Sequence, residues 1–402
     1  MANVEEGVSA PLVELVEDAV KEYKTFDEML LPEALLRGIY AYGFEQPSSI
    51  QQKAIMPISQ GKDLLAQAQS GTGKTGAFSI GSLCRIDPAI PHVQVIVLAP
   101  TRELADQIKK VASSISRFLL KPDSVYGATG GTPVREDVRA IEKGCQFLVG
   151  TPGRIFDLMN RGALRRDTVR VLVLDEADQM LEDRFKEQVF CILQMGFPQE
   201  TRVALFSATM PTDVIDCANR VLTNPVRILV APEQVTLEGI RQFYVDLQRD
   251  DWKYEALCDI YKQLTINQAI IYCNKRQRAE WLAAKMKEEG FTLECIHGDM
   301  EVQDRKTRMD DFRKGSVRVL ISTDLLARGI DVQQVSLVIN FELPVQKENY
   351  IHRIGRSGRY GRKGTAINLV TPDEMNKLRD IERHYGTNIA PLPNNISEIV
   401  IN

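Results

Sequence analysis

No stretch of this sequence stays apolar over the roughly 18 residues that a membrane-crossing helix needs, so no such span is expected. The opening Met-Ala-Asn-Val-Glu-Glu is acidic and lacks the basic and apolar parts of a secretory signal, so no leader is expected either. Disulfide chemistry has little to work with. The 7 cysteines, at 84, 145, 191, 217, 258, 273 and 295, are odd in number and scattered. None forms a C-x-x-C pair, which argues against a disulfide framework and a zinc site and suits a reducing compartment. An excess of positive charge is also lacking. Lys plus Arg is 50 against 54 for Asp plus Glu, a net charge of −4. That excludes a histone-like nucleic-acid binder; any contact with a polyanion must come from a local patch. Short-period repeats and low-complexity tracts are absent.

What is present is ordinary globular material. The chain has 402 residues, 44% apolar and 26% charged. At about 150 residues per domain that suggests two or three domains, and either half alone can bury a core.

The dominant pattern is a series of short, β-branched apolar runs separated by helix-like stretches. The first half has a plausible strand at Asp63–Ala66, then Val93–Leu98, Phe147–Val149, Val169–Leu174, Val203–Phe206 and Val226–Val230. The second has Ile240–Val245, Ala269–Tyr272, Leu293–Ile296, Val317–Ile321, Val335–Ile339 and Ala366–Val370. Such runs read as strands buried on both faces, and their alternation with helices predicts α/β domains with mostly parallel sheets. A buried helix segment is the rival for any single run. Many runs stop at a polar cluster, where open α/β sheets bind ligands. The halves look like two copies of one architecture. Pro232 and Gly239 mark a linker over 231–239, flexible enough for the halves to move. The predicted division is an extension at 1–25, a first domain at 26–230, and a second at 240–402. Helical spacing of Leu12, Val16, Ala19, Val20 and Tyr23 predicts a peripheral amphipathic helix over 12–23.

Ala68-Gln-Ser-Gly-Thr-Gly-Lys-Thr75 fits a phosphate-binding loop, with Ala68 in place of the first glycine. Ser70, Gly71, Thr72 and Gly73 would bring backbone N–H groups onto phosphate oxygens. Lys74 would neutralise the β and γ phosphates, and Thr75 would hold magnesium. A glycine-rich turn without a ligand is the rival. Asp175 ends an apolar run, where a carboxylate can hold magnesium through its water shell. Glu176 beside it is placed to orient or deprotonate an attacking water. Alone, the pair would read as an acidic helix cap; beside the Lys74 loop it reads as catalytic.

Asp175-Glu-Ala-Asp178, with Ser207-Ala-Thr209 downstream, resembles the DEAD-box RNA helicases from Phe26 to about residue 385. The resemblance implies two tandem RecA-like domains, helices on both faces of each sheet, ATP and magnesium as cofactors, and RNA-stimulated ATP hydrolysis. It implies that Gln51 reads the adenine edge, that Phe26 stacks on the ring, and that Ser207 and Thr209 bond Asp178 to couple hydrolysis to RNA. It also implies that Asp331 meets the ATP ribose, though Asp331 can equally cap a turn.

His352 to Lys363 places Arg at every third position, about one helical face, although Gly355, Gly358 and Gly361 weaken a free helix. Taken alone this run reads equally as a solvated basic loop. In the family it supplies arginine fingers, at positions matching Arg356 and Arg359. The ATP site would then be complete only when the domains close. By the same resemblance, RNA is met by Pro100, Thr101, Arg102, Gly130, Gly131, Thr151 and Arg154 on the first domain. Asn274, Arg305, Ser322 and Thr323 serve on the second. Several of these can instead be helix caps. Amides, hydroxyls and a few arginines read phosphates and 2′-OH groups, so weak sequence preference is expected. Val302 stands where the family often has Gln.

Within the family the resemblance is strongest to the translation-initiation type, although Arg356-Ser-Gly-Arg-Tyr-Gly-Arg-Lys-Gly364 is more like the exon-junction relative. The first implies a cytoplasmic monomer partnered by a cap-binding scaffold protein and other initiation factors, with no membrane. The second implies an ATP-locked RNA clamp, in the nucleus. A DNA-dependent ATPase is a third reading, because paired RecA-like domains serve both polymers. Short ends leave an expected minimal core.

Overall fold

The computed structural model describes residues 20–68, 71–181, 185–228, 239–263, 268–324, 335–355, 357 and 364–393. The first half contributes strands β1 (Leu64–Gln67), β2 (Val95–Leu98), β3 (Val125–Ala128), β4 (Phe147–Gly150), β5 (Val171–Asp175), β6 (Arg202–Ser207) and β7 (Val226–Ile228). The second contributes β8 (Ile240–Asp246), β9 (Gln268–Tyr272), β10 (Leu293–Ile296), β11 (Val319–Ser322), β12 (Val335–Asn340), β13 (Gly364–Val370) and β14 (Ala390–Pro391).

Each half forms its own 7-stranded sheet, ordered β3-β4-β2-β5-β6-β1-β7 and β10-β11-β9-β12-β13-β8-β14. The pairings are parallel throughout. Counting strands from the start of each half gives the same order twice, so the halves share one topology. Alternate residues of a strand enter opposite cores. Val95 and Val97 of β2 join one apolar cluster, and Ile96 and Leu98 join the other. In β9, Ile270 and Tyr272 face one side and Ala269 and Ile271 the other. Burial on both faces is why these strands are continuous apolar runs.

The expected runs fall on strands, with ends moved by a residue or two. Two strands were not expected. β3 is only partly buried and holds Gly127, and β14 is two residues long with Pro391. Residues 20–23 are irregular, so that part of the expected amphipathic helix does not form, and 12–19 lie outside the described residues. Val20 and Tyr23 pack against the first core instead. The linker at 231–238 also lies outside. The helix Glu348–Ile354 stops before the arginine run is completed, with Gly355 at its C-cap. Among the described residues no helix is long and apolar enough to cross a membrane.

Candidate active site at the domain seam

The loop after β1 enters the helix Lys74–Leu83 through Gly71 and Gly73, with φ of 84° and 102°. Only glycine takes such angles without strain. A Cβ on Gly73 would stand 2.6 Å from Ser48 Oγ and 2.8 Å from Gln51 Nε2. The first N–H groups of that helix lack intrahelical acceptors, which makes its N-terminus an anion cradle. Lys74 opens the helix and is buried, and its ammonium has no hydrogen-bond partner among the described residues. Glu176 Oε1 stands 3.6 Å from it. A buried ammonium in a cradle of amides is the chemistry of a phosphate site. Thr72 and Thr75 beside it are half-buried, and Gly71 is exposed.

Gln51 braces this loop. Its Nε2 donates to Gly73 O at 3.1 Å, and its Oε1 accepts from Ser48 N–H at 3.0 Å. One N–H and one lone pair of the amide remain for a base edge. Phe26 is fully buried, stacked on Phe44 and edge-on to Tyr40.

Asp175 closes β5 and accepts the Glu176 N–H at 3.0 Å. Glu176 adopts a left-handed backbone, φ 53°, a strained state for a non-glycine residue and one found at active sites. Burial pushes the Asp175 carboxyl up to about 7; Lys74 lowers it and Glu176 raises it. The residues fit magnesium: the Asp175 carboxylate and Thr75 hydroxyl are hard oxygen donors in a buried, anionic pocket.

Asp178 is bonded to both Ser207 and Thr209, as expected. Its backbone N–H donates to Ser207 Oγ at 3.3 Å, and Thr209 Oγ1 donates to its Oδ2 at 2.7 Å. The second domain reaches the same carboxylate. His352 Nε2 lies 3.0 Å from Asp178 Oδ2, and His352 Nδ1 lies 4.0 Å from Glu176 Oε2. A carboxylate only accepts, so Nε2 carries the proton. His352 is fully buried. Sequence reasoning gave it no role; its place on the helix leading to Arg356 was the only signal. Ser70, Asp331, Arg356 and Arg359 lie outside the described residues.

Most of the residues expected to meet RNA lie at the carboxyl ends of β2, β4, β9 and β11. Thr101 caps the helix Arg102–Ser116, accepting from Leu104 N–H at 3.2 Å, and Pro100 before it is buried. Thr151 and Pro152 occupy the N-cap and first position of the helix Pro152–Asn160. Gly131 has φ of 85°, and a Cβ there would stand 2.7 Å from the Arg102 guanidinium; Gly130 adjoins it. Several expected RNA contacts are committed internally. Arg154 pairs with the buried Asp137 and donates to Thr132 O at 2.7 Å, holding the loop after Gly131. Ser322 is fully buried and donates to Ile296 O at 2.8 Å, while Thr323 is half-buried. Asn274 Nδ2 donates to Leu343 O at 2.9 Å. Arg305 crosses to the first domain, its Nε 2.6 Å from Glu103 Oε1. Desolvation, then the charge of Arg305, lower the pKa of Arg102. Cationic heads crowded beside one carboxylate make the local patch that the overall charge does not provide.

A Gly-Lys-Thr loop and a buried Asp-Glu at nearby strand ends, on one of two parallel-sheet domains, define a phosphate-loop nucleoside triphosphatase of the paired RecA-like class. Residues 48–217 match the DEAD/DEAH box helicase model, and 252–361 match the helicase conserved C-terminal domain. The chain belongs to the DEAD/DEAH box helicase family. It is 53% identical over 377 residues to eukaryotic initiation factor 4A of Caenorhabditis elegans, covering 94% of this chain and 93% of that protein. It is 53% identical over 375 residues to the ATP-dependent RNA helicase eIF4A of Mycosarcoma maydis, covering 93% and 90%. Among solved structures it resembles S. cerevisiae Dbp5 bound to RNA and ADP BeF3, with TM-score 0.85 and 36% identity, over 92% of this chain and 95% of that one. A score of that size across both halves includes their relative placement.

Proposed function

We propose that this protein is an RNA-stimulated ATPase that grips single-stranded RNA and pries short duplexes apart as its domains close, and that it acts in translation initiation. The observation that carries this reading is the seam, where His352 of one domain meets Asp178 of the other beside Lys74, Asp175 and Glu176. The likeness to initiation factor 4A supports the pathway, and the likeness to an RNA-bound helicase supports the substrate.

In this reading Gln51 and Phe26 form the adenine end, with Asp331 at the ribose. Residues 70–75 cradle the phosphates. Glu176 takes the proton of the attacking water. Thr75 and Asp175 would hold magnesium, which would supply positive charge at the phosphates. Arg356 and Arg359 are assigned as fingers that spread transition-state charge, worth about 10³–10⁵ in rate. Asp178, Ser207 and Thr209 transmit the RNA-bound state. RNA lies along the edge formed by Pro100–Arg102, Gly130–Gly131, Thr151 and Arg154, with Asn274, Arg305, Ser322 and Thr323 opposite. The domains are assigned as 26–230 and 240–402, joined by a linker. A cap-binding scaffold protein is the assigned partner and the cytoplasm the site of action.

The test is ATP hydrolysis with and without single-stranded RNA, alongside release of a short RNA duplex. Stimulation and release are expected. No stimulation, or equal stimulation by DNA of the same sequence, would reject the assignment.

A further inference from the structure

Arg353 is fully buried and faces no solvent. Its Nε donates to Asp324 Oδ1 at 2.5 Å, and its Nη2 donates to Asn274 Oδ1 at 2.7 Å. Its Nη1 donates to Glu342 O at 2.7 Å and to Asn340 Oδ1 at 3.2 Å. These acceptors follow or end β9, β11 and β12, so one guanidinium ties three strand ends to the helix Glu348–Ile354. A burial this complete is tolerated only when the fork is satisfied.

A polar chain continues behind it through the core. Arg353 has donors only, so Asn340 must turn its oxygen toward it. The Asn340 amide then donates to Asn368 Oδ1 at 2.8 Å. Asn368 Nδ2 donates to the Tyr350 hydroxyl at 3.2 Å, which donates to Gln242 Oε1 at 2.9 Å. Each link runs in the direction that the guanidinium sets. Asn340, Asn368 and Tyr350 are fully buried, where an unmet polar group is costly. Tyr350 and Arg353 lie on the same helix, which is therefore pinned at two points.

We infer that Arg353 is a positioning residue that locks Asn274 and Asp324, on the edge proposed to face RNA, to the helix Glu348–Ile354, which Arg356 follows in the sequence. RNA engagement at that edge then sets the start of the finger segment. The inference rests on the function proposed above.

Two variants test it, read as the RNA concentration for half-maximal stimulation and the fold-stimulation of ATP hydrolysis. Arg353→Lys keeps the charge but loses the fork. It is expected to raise the half-saturating RNA concentration at least tenfold and to cut the fold-stimulation. Asp324→Asn keeps the shape, and its side chain is 33% exposed, so the fold is not at risk. If Asp324 acted only through its field, removing a negative charge beside a polyanion would lower the half-saturating concentration. The inference requires the opposite: a rise of at least fivefold with weakened stimulation. Should Arg353→Lys not fold, the sign from Asp324→Asn decides. Stimulated wild type with Asp324→Asn unchanged or tighter overturns this inference alone. Wild type without any RNA stimulation overturns the functional reading and the inference with it.

Discussion

Asp175 and Glu176 are neighbours in sequence whose surroundings divide their tasks. Asp175 ends a strand in extended backbone with its carboxyl held up by burial, while Glu176 turns through the left-handed region and faces Lys74 across 3.6 Å. Glu176→Gln keeps volume and hydrogen-bonding reach but removes the base. Nucleotide binding should persist while turnover falls by about 10²–10⁴, measured by steady-state hydrolysis beside titration with a fluorescent ATP analogue. Wild-type turnover in that variant would remove Glu176 from the chemistry. In the core the arithmetic concerns volume. Phe206 is fully buried and packs edge-on against Phe78 at 5.4 Å, one residue before Ser207. Phe206→Ala should lose about 3–5 kcal/mol of stability, visible as a lowered denaturation midpoint.

At the scale of elements, function collects where strands end and helices begin. The loop from β1 to the helix Lys74–Leu83 depends on Gly73 at φ 102°. Gly73→Ala adds a backbone cost of roughly 1–2 kcal/mol and crowds Ser48 and Gln51. ATP affinity should fall at least about tenfold, checked by calorimetric titration. The helix Pro372–Tyr385 shows a cap used for structure instead. Thr371 and Glu374 form a reciprocal capping box, and Glu374 also takes the buried Lys253 ammonium at 2.6 Å. Thr371→Ala should cost about 1 kcal/mol with ATPase activity intact, read by thermal unfolding and turnover on the same sample.

For the whole molecule, the decisive contacts cross the seam. Arg305 and Glu103 are both nearly buried and 2.6 Å apart. Arg305→Ala removes the partner of Glu103 across the seam, so closure should weaken by roughly 1–3 kcal/mol. RNA affinity in the presence of a non-hydrolysable ATP analogue should drop about 10–100-fold. The double Arg305→Ala, Glu103→Ala should lose less than the sum of the two single variants, since the two side chains share one contact. Full additivity would mean that the two do not interact in solution. RNA binding should also fall linearly with salt on logarithmic axes, at a slope of about −0.7 per phosphate contact, despite a net charge of −4.

The sequence by itself determined the elements and the first half of the site. Strands buried on both faces announce themselves as short apolar runs, and a phosphate loop and an Asp-Glu pair are contiguous residues whose geometry is local. β3 and β14 escaped because partial burial, Gly127 and Pro391 weaken the same signal. The arginine spacing predicted one helical face, but the helix ends at Ile354 and Arg353 turns inward. Only the tertiary structure decided that His352 meets Asp178, that Arg305 meets Glu103, and that Arg353 binds three strand ends. These partners are separated by long stretches of chain, and no local pattern encodes how two independently folded sheets are set against one another.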